Sequence, residues 1–279
     1  MQGKKTMEAK QISYDEIDFF PPTIYKYRSW TDNFHREIIS EQVVFMARPT
    51  SFEDPFDCKL QKRYDLLTDD DIYNKYLESS KKDNPNWTRQ QHRKFARDWF
   101  KKSPMRNKEY IKQLQNEHFT EFDKRFGVLS LTANPKIYAM WDKYSDNHQG
   151  FCVGFHTKKM FKHLGGGGKV CYYDKLPDIL PFDSHEVEHF KQVFSKENKW
   201  YFEEEYRTHR FYPNPATIED RRIKLSKDCY KEIIFGAKQS DVHRQEIISI
   251  CKAQGLKVEF YIEKIYDNNE ITIDKMPSC

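Results

Sequence analysis

The densest concentration of chemically useful side chains in this 279-residue chain lies at residues 200–207, which read W-Y-F-E-E-E-Y-R. Alternate residues of a β-strand share a face, so the pattern predicts that Glu203, Glu205 and Arg207 point the same way. Two carboxylates beside a guanidinium can hold a hydroxyl, stabilise a developing cation or shift the pKa of one acid. The same residues would also occur in a solvated edge strand, or on a helix surface with Glu203 paired to Arg207, and neither arrangement has a catalytic or binding role.

A second group of polar side chains lies in the loop at residues 48–57, where two prolines prevent regular structure. Phe52 and Phe56 can anchor this loop, which then displays the carboxylates of Asp54 and Asp57. The loop is therefore a candidate for substrate contacts. A tight turn held by two buried phenylalanines explains the same residues.

Composition indicates a folded protein, since aromatic residues make up 15% and charged residues 32% of the chain. The formal net charge of +4 permits a nucleic-acid partner without requiring one. No run of roughly eighteen apolar residues is present, and the first ten residues lack the apolar segment of a secretory signal. Six scattered cysteines without C-x-x-C spacing favour reduced thiols over disulfides or a zinc site. We therefore expect a cytoplasmic protein with no membrane partner and no bound metal.

The elements that must position these side chains follow from the periodicity. β-branched and aromatic runs predict strands that build one mixed sheet around a cleft, at residues 23–28, 43–47, 126–132, 151–155 and 200–210. Helices lie between the strands, and residues 178–199 form one of them. The prediction is an α+β fold with a polar lead-in at 1–22 and a single domain at 23–279.

Residues 68–122 differ in composition and predict two or three helices inserted into that domain, with breaks near residues 84–85 and 103–104. The insertion is rich in lysine and arginine interleaved with aromatic residues. Arg93 and Arg97 are the candidates for contact with a phosphate backbone. An ordinary soluble helix surface would show the same composition.

Four motifs occur together and in a fixed order: Y-K-Y-R at 25–28, S-F-E-D-P-F-D at 51–57, M-W-D-K-Y continuing to H-Q-G-F at 140–151, and residues 200–207. In this combination the chain resembles a bacterial family known as domain of unknown function 2971, over roughly residues 23–262. Glu53 departs from that family's pattern, in which asparagine is expected. The resemblance implies a role in abortive infection or phage defence and supplies no chemistry.

A second resemblance supplies chemistry. An arginine in the first strand, then a serine/threonine strand, then E-x-E is the order in one branch of the ADP-ribosyltransferases. The matching positions are Arg28, residues 130–132 (S-L-T) and residues 203–205 (E-E-E). The insertion accounts for the long spacing between the first two. This likeness implies an ADP-ribosyltransferase-like fold and NAD as the bound cofactor.

The resemblance also implies roles. Glu205 would bind the ribose 2′-hydroxyl and stabilise positive charge on the sugar, while Ser130 orients that carboxylate. Glu203 would orient the acceptor, and Arg28 would bind the diphosphate. Further candidates around NAD are Lys26, Tyr25, Thr132, Trp141 and Tyr144. The candidates for contact with the acceptor are Asp54, Asp57, His148, Arg207, Arg93 and Arg97. For Trp141 and Tyr144, packing in the core is the plainer interpretation.

The resulting hypothesis is an NAD-dependent mono-ADP-ribosyltransferase toxin of an anti-phage system, acting on RNA in preference to DNA, or on protein. An antitoxin protein would restrain it. Two other classes stay open. One is a nuclease, in which Asp54, Asp57, Glu203, Glu205 and Lys26 hold a divalent metal against a phosphodiester, or in which His148 serves a metal-independent RNase. The other is a non-catalytic defence sensor or interaction module.

Overall fold

The structure, a computed structural model, describes residues 20–277, and most of the predicted lead-in at 1–22 lies outside this range. Within the described residues the fold is mixed α+β, as predicted, with one large mixed sheet. Its strands, numbered in chain order, are β1 (Thr23–Arg28), β3 (Phe126–Thr132), β4 (Phe151–His156), β5 (Gly168–Lys169), β8 (Glu205–Phe211), β10 (Tyr230–Phe235), β11 (Glu259–Ile265) and β12 (Ile271–Lys275).

These eight strands lie in the order β12-β11-β10-β4-β1-β3-β8-β5. Neighbours are antiparallel except for β10 and β11, which run parallel. Two smaller sheets each contain two strands. One pairs β2 (Val43–Phe45) with β9 (Arg222–Lys224), and the other pairs β6 (Cys171–Tyr173) with β7 (Ser195–Glu197).

Alternate residues of the central strands pack into two apolar clusters on opposite faces of the large sheet. Ile24 and Val153 belong to the larger cluster, whereas Tyr25 and Cys152 belong to the smaller one. Because both faces are covered, β4 is apolar without alternation, and its first five residues are buried. The predicted buried strand at 151–155 is thus confirmed.

Eight helices accompany the sheets within residues 20–277: α1 (Asn33–Ser40), α2 (Asp69–Asp83), α3 (Arg89–Lys101), α4 (Lys108–Arg125), α5 (Tyr138–Tyr144), α6 (Thr157–Leu164), α7 (His185–Phe194) and α8 (Asp241–Gln254). The predicted insertion contains α2, α3 and α4, which confirms the helices and their breaks. Capping boxes at Thr68 and Thr88 begin the first two of them. None of the described helices is both long and apolar enough to cross a membrane.

Three predicted elements are wrong in their extent. Residues 43–45 pair with β9 rather than with the large sheet, which this segment meets only through an isolated bridge at Ala47. The predicted helix 178–199 is helical only in α7, and β7 follows it directly. The predicted strand 200–210 begins only at Glu205, because Asn198–Glu203 forms a 3-10 helix. Burial of charged side chains in this region overrides local propensity.

Candidate active site

A pocket opens where two central strands separate. β1 and β3 pair at one position only, Tyr25 opposite Thr132, whereas β3 and β8 pair along seven positions. Beyond that point the Lys26 ammonium donates a hydrogen bond to the Ser130 carbonyl oxygen at 2.7 Å, in place of a backbone partner. The separation leaves a cavity of about 230 Å³, which is below the roughly 300–1,000 Å³ typical of ligand sites.

Ten of the residues selected from the sequence line this pocket: Tyr25, Lys26, Arg28, Asp54, Asp57, Ser130, Thr132, Tyr144, Glu203 and Glu205. They come from β1, β3 and β8, from the end of α5, from the loop at 48–57 and from the segment before β8. Thr132 lies opposite Glu205 on the neighbouring strand. Arg28, Ser130 and Glu205 therefore converge, although 102 residues separate the first two.

Arg207 organises the base of the pocket. Its side chain is fully buried, and its guanidinium binds both oxygens of Glu205 at 2.7 and 2.9 Å and both oxygens of Asp57 at 2.7 Å. The fifth N–H donates to the Val193 carbonyl oxygen at 2.7 Å. All five donors are used within the protein. The prediction that Arg207 contacts a substrate is thus wrong, and its role is to position the two carboxylates.

Lys196 is the second buried cation, and the sequence analysis missed it. Its ammonium lies 2.5 Å from Glu203 Oε2, 3.1 Å from Glu205 Oε2 and 3.7 Å from Asp57 Oδ2. Burial lowers its pKa, but the carboxylates of Glu205 and Glu203 more than reverse this, so the pKa of Lys196 is raised. The signal was available: three clustered acids with one arginine require a further counter-charge when buried.

The two acids of the E-x-E motif differ in their free hydrogen-bonding capacity. Burial raises the pKa of Glu205, but Arg207 and Lys196 outweigh it and lower that pKa to about 2. Among residues 20–277, the Glu205 carboxylate accepts three hydrogen bonds, two from Arg207 and one from Lys196. Glu203 accepts two, from Lys196 and from the Tyr144 hydroxyl at 3.0 Å, and has no guanidinium partner. Glu203 is therefore the acid with more capacity to accept a hydrogen bond from a ligand.

Both residues sit at 3–4% exposure, and they meet through an unexpected backbone conformation. Glu204 between them is left-handed, with φ of 45°. This bend, rather than a continuous strand, aims Glu203 and Glu205 at the same ammonium. The predicted convergence with Arg207 is confirmed, but the predicted strand geometry is wrong.

Two half-buried cations on β1 have few partners. Arg28 makes one long hydrogen bond, from Nη1 to the Tyr27 carbonyl oxygen at 3.4 Å, and has no ion pair within residues 20–277. Burial lowers the pKa of Arg28 to about 10. Burial and the neighbouring Arg28 lower the pKa of Lys26 to about 7. Adjacent cations with unused donors form a site suited to an anion.

Two further polar atoms of the pocket residues have no hydrogen-bond partner in the described part of the chain, Asp54 Oδ2 and Trp200 Nε1. The other oxygen of Asp54 accepts from the Phe56 amide at 3.0 Å, and Lys59 holds the loop by donating to the Asp54 carbonyl oxygen at 3.1 Å. An orphaned acceptor and an orphaned donor, both buried, are costly unless a ligand or water satisfies them.

Four residues proposed from the sequence lie elsewhere. Trp141 is fully buried, packs edge-on against Tyr27 and donates to the Pro135 carbonyl oxygen, so it belongs to the core. His148 is fully buried beside Glu263, with 2.8 Å between Nδ1 and Oε1, and does not line the pocket. Arg93 and Arg97 lie on the exposed surface of α3 and do not line the pocket either. Packing between residues far apart in the chain places these four residues away from the pocket, and a linear pattern does not contain that information.

Among residues 20–277, no group of three or more His, Cys, Asp or Glu side chains is arranged to hold a metal ion. The pocket carboxylates of Asp57 and Glu205 are bound by Arg207, so a metal would have to displace that guanidinium. The five cysteines of this range have free thiols. The geometry therefore does not favour the metal-dependent nuclease.

Comparison with known proteins finds no match for this chain among family models, curated proteins or solved structures. The resemblances to the domain of unknown function 2971 and to ADP-ribosyltransferases stay predictions, and the pocket itself is the basis for a function.

Proposed function

We propose that this protein is an enzyme that transfers ADP-ribose from NAD, and that the pocket between β1, β3 and β8 is its active site. The observation that carries the proposal is the convergence of Arg28, Ser130 and Glu205 on one pocket from three neighbouring strands. Each residue has the chemistry that its role requires, and the pocket has unused donors where an anion would bind.

The donor set fits NAD. The Arg28 guanidinium forms forked hydrogen bonds with phosphate oxygens, and the Lys26 ammonium beside it adds a second positive charge for the diphosphate. At the other polar atoms, Asp54 Oδ2 accepts from an amide N–H and Trp200 Nε1 donates to an amide oxygen. A carboxamide such as that of nicotinamide offers both groups.

NAD contributes a ribose–nicotinamide bond whose cleavage develops positive charge on the sugar, as in glycoside hydrolysis. Glu205 is ionised because Arg207, Lys196 and Ser130 hold its carboxylate, so it supplies a fixed negative field. Glu203 has free lone pairs and accepts a hydrogen bond from a sugar hydroxyl. This division of roles differs from the sequence-based one, which gave the hydroxyl to Glu205.

In the transfer step the acceptor oxygen or nitrogen forms a bond to C1′ of the ribose as the bond from C1′ to the nicotinamide nitrogen breaks. The electron pair of the broken bond stays on nicotinamide, which leaves as a neutral molecule. The acceptor's proton passes to Glu203, the pocket carboxylate that retains lone pairs beside its bonds to Lys196 and Tyr144. Its place in an anti-phage system, with an antitoxin partner, stays a prediction from resemblance.

The test is nicotinamide release and labelling of acceptors by purified protein supplied with NAD labelled in its adenylate half. We expect Glu205→Gln and Glu203→Gln each to reduce release by roughly a hundredfold or more, while NAD affinity changes little. Glu204→Gln is the matched control, because its side chain binds Asn134 and does not line the pocket. It should retain activity.

Circular dichroism and thermal unfolding must accompany each variant, since loss of one buried charge can unfold a protein. Folded Glu203→Gln and Glu205→Gln proteins with unchanged turnover would refute the assignment. Wild-type protein that neither releases nicotinamide nor labels any acceptor would refute the activity itself.

A further inference from the structure

Helix α3 carries a row of positive charges that is inclined to the helix axis. Arg89, Arg93, Arg97 and Lys101 follow one another at intervals of four residues, so they lie along one side of the helix, and all four are exposed. At a rise of about 1.5 Å per residue, the line is about 18 Å long. We call these four residues the α3 ridge.

No side chain of the α3 ridge has an ion pair or hydrogen bond to any residue in the 20–277 range. Some cations of this region are paired with acids: Arg106 of the insertion binds Asp69, and at the end of α4 Arg125 binds Glu121 at 2.8 Å. Others, such as Lys81 and Lys82, have no ion pair within residues 20–277. The distinguishing property of α3 is that four such cations follow one another in one row.

The charge of α3 is unusual for the chain as a whole. The helix holds five basic residues and one acid, Asp98, so its formal charge of +4 equals that of the entire protein. The remainder of the chain is balanced. Positive charge is therefore concentrated on one exposed helix rather than spread over the surface.

Like charges four residues apart destabilise a helix, and the ridge contains three such pairs. Other interactions keep α3 in place. Thr88 begins it with a capping box to Gln91, and buried His92 hydrogen-bonds Ser80 of α2 at 2.9 Å. Buried Ala96 packs one turn further on. The ridge is presented on a rigid hairpin whose fold does not need these charges.

We propose that the α3 ridge is a binding site for the phosphate backbone of a nucleic acid. Evenly spaced cations about 6 Å apart along the axis suit a linear polyanion. Three of the four are arginines, whose planar guanidinium binds phosphate oxygens through paired hydrogen bonds. An anionic membrane fits less well, because α3 packs against α2 and Trp99 is the only large apolar side chain of the helix that is about half exposed, which leaves little apolar surface to insert.

Backbone contacts carry no sequence information, so the ridge recognises charge and shape rather than particular bases. This site is separate from the pocket, since none of its four residues lines that cavity. Binding at the ridge does not depend on the transfer reaction. If both proposals hold, the ridge identifies nucleic acid as the class of acceptor.

The test is fluorescence anisotropy of the full chain with short labelled single-stranded RNA, and with DNA of the same sequence, between about 50 and 200 mM salt. Arg93→Gln/Arg97→Gln removes two ridge charges without adding new ones. Two lost phosphate contacts should reduce the slope of log K against log salt by about 1.4, and should weaken binding about 25-fold near 0.1 M salt.

Lys81→Gln/Lys82→Gln is the matched control, because it removes the same charge from exposed positions on the same hairpin, at the end of α2. It should change the slope little. NAD cleavage to nicotinamide in water should be unchanged in both double variants, which separates this site from the proposed activity. RNA and DNA binding alike would support a backbone site.

Three results would overturn the proposal. One is no binding of either nucleic acid by the wild-type chain. Another is an equal loss in the ridge and control variants, which would mean that net charge alone attracts the polyanion. The last is equally tight binding of poly-glutamate or of anionic phospholipid vesicles, which would make the ridge a general anion surface.

Discussion

The pocket and helix α3 use arginine in opposite ways. Arg207 is fully buried, and its five donors are all bound within the protein, mainly by Glu205 and Asp57. Arg93 and Arg97 are exposed and have no partner in the described part of the chain. Arginine thus stabilises the folded pocket region, whereas on α3 it adds repulsion between neighbouring side chains.

The difference follows from the solvent. A charge removed from water needs a partner and filled hydrogen bonds, because its desolvation costs several kcal/mol. An exposed charge keeps its hydration, so leaving it unpaired costs little and preserves its attraction for a distant anion. Lys26 and Arg28 lie between the two cases, being half-buried and nearly unpaired. They are the groups in the pocket that a ligand's charge would stabilise.

The largest expected effect is a loss of stability when the buried Arg207 is replaced. Arg207→Ala leaves Asp57 and Glu205 without their common partner, and the free energy of unfolding should fall by about 3–5 kcal/mol. Arg93→Ala should change it by less than about 0.5 kcal/mol. Urea denaturation of both variants measures the two values. Similar small losses in both would show that the pocket network contributes nothing to stability.

The half-buried Lys26 should give ligand affinity and protein stability opposite dependences on pH. The pKa of Lys26 is lowered from 10.5 to about 7, so its charge is lost as the pH rises through 7. Affinity for ADP-ribose should then fall by about tenfold between about pH 6 and pH 8, the value of one charge-assisted hydrogen bond. Titration calorimetry at the two pH values measures this.

Stability should change the other way. Between pH 7 and pH 10.5 the unfolded chain keeps the Lys26 proton that the folded chain has released, so the free energy of unfolding rises with pH. His35 near Arg28 does not interfere, because burial lowers its pKa to about 4. Lys26→Met should abolish the pH dependence of affinity and remove the Lys26 contribution to stability, which is measured as the difference from wild type because the raised pKa values of buried cysteines act in the opposite direction. An affinity in the wild-type chain that is independent of pH would contradict the role of Lys26.

The last prediction concerns the exposed cations of helix α3. Arg93→Glu replaces two repulsive contacts, with Arg89 and Arg97, by two attractive ones at helical spacing. Each repulsive pair removed and each attractive pair gained contributes about 0.2–0.5 kcal/mol, so the variant should be more stable than wild type by roughly 1–2 kcal/mol while losing affinity for nucleic acid. Thermal unfolding with a matching binding assay checks both. A less stable variant would indicate that Arg93 has a structural role.

Local signals in the sequence were sufficient for much of the fold. Capping residues and breaks predicted the helices between residues 68 and 122, and alternation or apolar runs predicted β1, β3 and β4, because these depend on neighbours along the chain. The errors occur where distant residues intervene. The segment before β8 forms a 3-10 helix and a left-handed turn, in which Glu203 accepts from Tyr144, 59 residues away, and Glu205 shares Arg207 with Asp57, 150 residues from that arginine.

The sequence by itself determined which residue types could form a site, and ten of its fifteen candidates line one pocket. Only the tertiary structure decided which of them are free to act. Arg207 is occupied by Asp57, 150 residues away in the chain, and Glu205 is held by three hydrogen bonds from Arg207 and Lys196, whereas Glu203, Asp54 and Arg28 retain more capacity. Hydrogen-bond capacity depends on every neighbour in space, and a linear pattern contains only the neighbours in the chain.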